Sequence, residues 1–134
     1  MEATFAKQAD SVPAIFDFVE KFTKAQNLGD EMTLMLQFAV EEMFTNMVRY
    51  NSESQNDVTI QIRIEGSELL VTLIDRDVHY FDPRDRPPVD VTRPVKERLP
   101  GGLGIHLTRQ MMDDIRYEYV DRTSKITLVK RLGA

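Results

Sequence analysis

The sequence predicts an α+β fold, a two-layer sandwich with helices packed on one face of a mixed, mainly antiparallel sheet. Three observations lead there. Apolar residues recur with a helical period between Met32 and Tyr50, and they alternate strictly from Val58 to Ile64. The inferred chain order is two helices, a hairpin, a long loop, a helix and a second hairpin. At 134 residues the chain is expected to be one domain, 1–134, large enough for a single core without staples.

The elements follow in order. Thr4 to Gln8 suits a strand at a sheet edge. Ser11 reads as a helix N-cap, with Pro13 in the first turn and Ile15, Phe16, Val19 and Phe22 on the buried face. Gly29 stands where a C-cap is expected, and Asp30 opens the next helix. In that helix Met32, Leu36, Ala39, Val40, Met43, Met47 and Tyr50 form the apolar stripe. Gln37, Glu41, Glu42, Thr45, Asn46 and Arg49 form the polar side. Methionines in such a stripe are core filling.

Val58, Ile60, Ile62 and Ile64 then mark a half-buried strand. Glu65-Gly66-Ser67 turns it, and Leu69 to Asp75 returns. Five of the six prolines fall between Phe81 and Pro100, so this stretch is expected to be a long loop, of the kind that serves as a lid. Gly101-Gly102-Leu103-Gly104 ends it and starts a helix through Met112. Ile115 to Val120 and Ile126 to Leu132 complete a hairpin turned at Asp121-Arg122-Thr123-Ser124.

Composition removes several function classes. Asp plus Glu number 22 against 17 Lys plus Arg, a net charge of -5, which disfavours general nucleic-acid binding and docking on anionic lipid. Without cysteine there is no disulfide framework, thiolate zinc site or cysteine nucleophile. His79 and His106 are the only histidines, too few for a histidine-rich metal centre. No apolar run approaches ~18 residues, and the start lacks the features of a secretory signal, so a cytoplasmic domain is expected.

Three groups of residues could carry chemistry. Glu42 and Asn46 lie four apart on one helix face, roughly 6 Å from each other at Cβ. A carboxylate can serve as a general base, and an amide oxygen suits Mg²⁺, which prefers oxygen donors. The plain alternative is a solvated helix face. Gly101, Gly102 and Gly104, half of the glycines, precede a helix, where backbone N–H groups can approach phosphate. Neither the Lys-Ser/Thr pair of a P-loop nor the dinucleotide fingerprint is present. Asp75, at the end of an apolar strand, could accept the exocyclic amine of adenine.

In chain order these pieces resemble something definite. Glu-x-x-x-Asn on a helix, Asp at a strand end, Phe81-Asp82-Pro83, a long lid and Gly-Gly-Leu-Gly before a helix look like the Bergerat-type ATP site of the GHKL superfamily. The segments Ala39 to Tyr50, Phe81 to Pro83 and Gly101 to Leu107 are most similar to bacterial anti-sigma-factor serine kinases. The resemblance covers residues 3 to 132.

That resemblance implies an ATP-dependent serine/threonine kinase that binds a sigma factor or equivalent and phosphorylates an anti-anti-sigma (STAS-type) partner, typically as a homodimer. It makes Glu42 the base and Asn46 the Mg²⁺ ligand. It places Arg49 and Tyr50 near the phosphates, and Gly101, Gly102, Leu103, Gly104 and Ile105 in the phosphate loop. Lys96 or Arg98 could reach the terminal phosphate from a lid spanning about residues 76–100, with Pro83 to Pro100 its main part. Asp75 and Asp77 belong to the base site. One departure stands out, because the family has Asp-x-Gly where this chain has Asp75-Arg76-Asp77. Counted back from Phe81-Asp82-Pro83, the pair falls instead on Arg76 and Val78, and neither register supplies the glycine. The departure motivates a second expectation, a non-catalytic binding module of the same fold with weak or lost nucleotide binding.

Overall fold

The computed structural model describes residues 1–50, 56–79 and 102–133. Strand β1 (Glu2–Phe5) is followed by a 3-10 turn (Ala9–Ser11) and the helices α1 (Val12–Ala25) and α2 (Gly29–Tyr50). The hairpin β2 (Val58–Glu65) and β3 (Glu68–Arg76) comes next, then α3 (Gly102–Met111) and the hairpin β4 (Asp114–Val120) and β5 (Thr123–Arg131). The sheet order is β1-β2-β3-β5-β4, and each of these four pairings is antiparallel. The three helices lie on one face, the expected two-layer α+β arrangement.

Strand periodicity decides which residues meet the helices. Val58, Ile60 and Ile62 of β2, Leu69, Val71 and Leu73 of β3, and Ile126 and Leu128 of β5 join the core with Leu36, Ala39, Val40, Met43, Phe44 and Met47 of α2. Continuing the same alternation, Asp75 and Ser124 face the helix layer. The opposite face carries Arg63, Thr72 and Thr127, linked by hydrogen bonds. Among the described residues no helix is long and apolar enough to cross a membrane.

Several local expectations change. Ser11 holds the N-cap position of α1 as expected, but its side chain does not cap: the residue has helical angles, and its hydroxyl donates to the Ala6 carbonyl at 2.7 Å instead. Phe18 rather than Phe16 is buried on α1, and its ring meets Phe5 edge to face at 5.6 Å. The end of α1 is closed by Asn27, not Gly29. Asn27 takes φ 55°, and the N–H groups of Asn27 and Leu28 donate to the carbonyls of Lys24 and Thr23. This is a Schellman closure in which Asn fills the left-handed position. The second hairpin turns on Asp121 and Arg122 alone, at φ 52° and 60°, so Thr123 and Ser124 belong to β5.

Phe44, outside the stripe expected for α2, is fully buried. Phe44→Ala should therefore lower stability by about 3–5 kcal/mol, measured by urea unfolding. The Asp113 carboxylate accepts the Arg131 backbone N–H at 2.6 Å, and this bond holds its pKa below the ordinary 3.8. A depressed folded-state pKa adds stability above the unfolded value, and that stability is lost as pH falls through the folded one. The urea midpoint should fall less between pH ~6 and pH ~3 in Asp113→Asn than in the wild type.

Candidate functional site

Glu42 and Asn46 come together as the helical spacing requires, but not as a solvated face. Asn46 is only 2% exposed and Glu42 is half-buried. The Asn46 amide donates through Nδ2 to the Glu42 backbone carbonyl at 2.6 Å and to Glu42 Oε1 at 2.9 Å. The amide is thereby fixed in one orientation, with Oδ1 turned away from those bonds. Asn46 Oδ1 is buried and has no hydrogen-bond partner among the described residues. A buried acceptor is costly to leave unpaired, so Oδ1 is a place where a further donor or a cation is accommodated.

Helix α3 closes over this pair. A Cβ on Gly104 would collide with the Glu42 carboxylate, so with any other residue in the first turn of α3 that carboxylate must shift. Thr108, fully buried, donates to the Gly104 carbonyl at 2.9 Å. Ile105 anchors the same turn in the core at 2% exposure. Gly102 is the first residue of α3 and Leu103 the second, so the start of the helix lies one turn from Glu42. The helix N-terminus, with its unsatisfied N–H groups, favours anions.

At the end of β3, Asp75 is fully buried and Arg76 points to the other face, where its Nη1 donates to Thr59 Oγ1 at 2.9 Å. Of the two registers open in the sequence, Asp75 is therefore the inward carboxylate. Asp77, two residues on, adopts φ 57°. That is a left-handed conformation natural to glycine and tolerated by Asp. The Asp77 side chain turns outward to Arg122 Nε at 2.9 Å. Val78 is buried, its N–H donating to Arg122 O at 2.9 Å and its carbonyl accepting from Tyr119 Oη at 2.6 Å. The chain from Arg76 to Val78 is thus strand and anchored corner rather than the beginning of a lid.

Two participants were not foreseen. Lys7 Nζ forms a 2.6 Å ion pair with Asp75 Oδ1, and both side chains are buried. Ser124 lies directly opposite Asp75 in the β3–β5 ladder, and its buried Oγ has no partner among the described residues. The expectation of a four-residue turn had put Ser124 in a loop. Arg49 is exposed in the last turn of α2, and Tyr50 ends that helix. His106 is half-buried and His79 exposed. Gly101, Lys96, Arg98 and Phe81-Asp82-Pro83 lie outside the described residues. Among the described residues no group of three or more His, Cys, Asp or Glu side chains could hold a metal ion, and the oxygen donors at this site are Asn46 Oδ1 and the Glu42 carboxylate.

Residues 5–130 match the family model for the histidine kinase-like ATPase domain. The chain belongs to the histidine kinase-like ATPase family. Over 88 residues it is 31% identical to the serine-protein kinase RsbW of Bacillus velezensis, a match covering 62% of this chain and 55% of the relative. Among solved structures, the RsbU and RsbW domains of Rv1364c from Mycobacterium tuberculosis align over 98% of this chain and 32% of that one. The TM-score is 0.68 and the identity 12%. The histidine kinase AdeS of Acinetobacter baumannii aligns over all of this chain and 68% of its own, at TM-score 0.57 and 12% identity. The two structural likenesses bear on the fold. This ATPase-family chain spans about half the length of its curated relative.

Gly104→Ala tests the close approach of α3 to Glu42. The Asn46 side-chain amide resonances should move, because the carboxylate that accepts from Nδ2 is displaced, while far-UV circular dichroism stays that of the wild type. Unmoved resonances would mean that α3 does not press on Glu42.

Proposed function

We propose that this domain is an ATP-dependent serine/threonine protein kinase of the anti-sigma type. In this reading it binds a sigma factor or equivalent regulator and phosphorylates a STAS-type anti-anti-sigma protein, as a homodimer. The observation that carries it is the buried Asn46 Oδ1, with no partner among the described residues, beside a carboxylate that Asn46 itself orients. The family match and the serine-protein kinase relative support the same reading.

In this mechanism the Glu42 carboxylate accepts the hydroxyl proton of a substrate serine, whose oxygen then bonds to the γ-phosphorus as the bond to ADP breaks. The Nδ2 bond from Asn46 holds Glu42 Oε1 in place, and Gly104 leaves room for the carboxylate at the helix start. N–H groups at the start of α3 receive phosphate oxygens. Asn46 Oδ1 would hold Mg²⁺, which neutralises phosphate charge when bound. Asp75 and Ser124 supply polar groups for the base. Arg49, Tyr50, Gly101 and Lys96 are assigned to the phosphate side by resemblance alone.

The Lys7–Asp75 pair favours a second reading, because the carboxylate expected to receive adenine already has a cationic partner. There the domain binds its regulators without using nucleotide, and partner affinity is indifferent to Mg-ATP.

Melting with and without Mg-ATP separates the two. A ligand bound only by the folded state stabilises it by ~2.7 kcal/mol at a hundredfold excess over Kd. The kinase reading expects a rise in Tm that Asn46→Ala abolishes. No rise at millimolar Mg-ATP would sink it. With a STAS-type substrate and labelled ATP, Glu42→Ala should reduce phosphotransfer by at least ~10²-fold while melting as a folded protein. Transfer at the wild-type rate would remove Glu42 from the role of base.

A further inference from the structure

Lys7 occupies a position where its chemistry matters more than its charge. The chain around it is fixed: Gln8 N–H donates to Ala6 O at 2.8 Å, Ser11 N–H donates to Gln8 O at 3.1 Å, and Ser11 Oγ also binds Ala6 O. Phe5, two residues earlier, packs on Phe18. From this bracket Lys7 reaches inward past the first residues of β2 to Asp75, and its side chain is 2% exposed. A buried lysine is normally paired, and the pair places a strong donor against the one carboxylate on the helix-facing side at the end of β3.

We propose that Lys7 is a specificity-determining residue of the base site, and that it turns the site from a 6-aminopurine toward a 6-oxopurine nucleotide. This rests on the nucleotide reading given above. A lone carboxylate only accepts, so it selects a base that offers an amino group. With Lys7 Nζ on Asp75 Oδ1, the 6-amino group of adenine would bring a second donor beside the ammonium and offer Nζ no acceptor. A 6-oxopurine fits the pair on both counts: its carbonyl accepts from Lys7 Nζ and its N1–H donates to Asp75. Ser124 Oγ can donate or accept, so it serves either base and does not discriminate.

ATP and ITP are the matched probes, since they differ only at position 6 and in the N1 proton that follows from it. Calorimetric titration of the wild type should give ITP an affinity equal to or above that of ATP. In Lys7→Met the ammonium is gone and Asp75 favours the amino group, so the ratio of the two affinities should move toward ATP by about tenfold or more. Lys7→Gln keeps a neutral donor for the buried carboxylate and adds Oε1, an acceptor for the 6-amino group. It carries the test, with a smaller shift in the same direction, where Lys7→Met fails to fold.

A wild type that prefers ATP tenfold or more overturns the proposal, as does a ratio that neither variant changes. Equal tightening of both nucleotides in Lys7→Met also overturns it, since Lys7 would then only block the pocket. If neither nucleotide binds to the wild type or to either variant, the nucleotide reading itself fails and this proposal falls with it. Binding that Asn46→Ala abolishes, with an unchanged ratio, leaves that reading standing and removes Lys7 alone.

Discussion

Helix α2 must bury one broad face against three neighbours, and much of the molecule follows from that requirement. Its residues Leu36, Ala39, Val40, Met43, Phe44 and Met47 form a contiguous apolar arc, and α1, α3 and the sheet share in covering the helix. A helix covered from several sides has little solvated surface near its C-terminal half. A polar residue there must find a protein partner or await a ligand. Asn46 does both: Nδ2 is bound to Glu42, while Oδ1 is buried with no partner among the described residues. The stereochemistry of the site is therefore a product of core packing. Gly104 completes it, since a side chain there would displace the Glu42 carboxylate.

The other end of the site is built by strands. Antiparallel pairing sets Asp75 opposite Ser124, and alternation along β3 and β5 turns both toward the helices. The corner after β3 is held from the neighbouring hairpin: Arg122 receives the Val78 N–H and binds the Asp77 carboxylate, and Tyr119 donates to the Val78 carbonyl. Arg122 itself sits at φ 60°, an uncommon conformation for a long side chain. Its two contacts with the corner account for that conformation. Where the resemblance expects the glycine of an Asp-x-Gly step stands an Asp with left-handed angles, tied down by its side chain.

Periodicity made the layers legible. The alternation of Val58, Ile60 and Ile62 and the helical spacing of Leu36, Val40, Met43 and Met47 each report a face, and the structure uses those faces. The pairing of Glu42 with Asn46 and the glycine before α3 were legible for the same reason, because their spacing is local. Three things were not. Asn27 closes α1 because Asn tolerates left-handed angles, and Gly29 two residues later drew attention from it. The second hairpin needs only Asp121 and Arg122 to turn, which no glycine announced, and so Ser124 was read as loop. Lys7 meets Asp75 across 68 residues of chain, a contact with no local signature.

These differences reflect a division within the site. The phosphate end is made by the packing of two helices, so Glu42, Asn46 and Gly104 are constrained together and a change in one disturbs the others. The base end is made by strand ends, a corner and the N-terminal segment. Each of these can change without repacking the α2–α3 contact. A sequence that keeps the helix motifs while replacing the glycine of Asp-x-Gly and placing a lysine on its aspartate is physically consistent. The helix pair and the strand ends rest on different contacts here, so divergence at the strand ends need not disturb the helix pair. The buried Lys7–Asp75 pair sharpens the point. Replacing such a pair by apolar side chains is often neutral or stabilising, so stability by itself gives no reason to keep it.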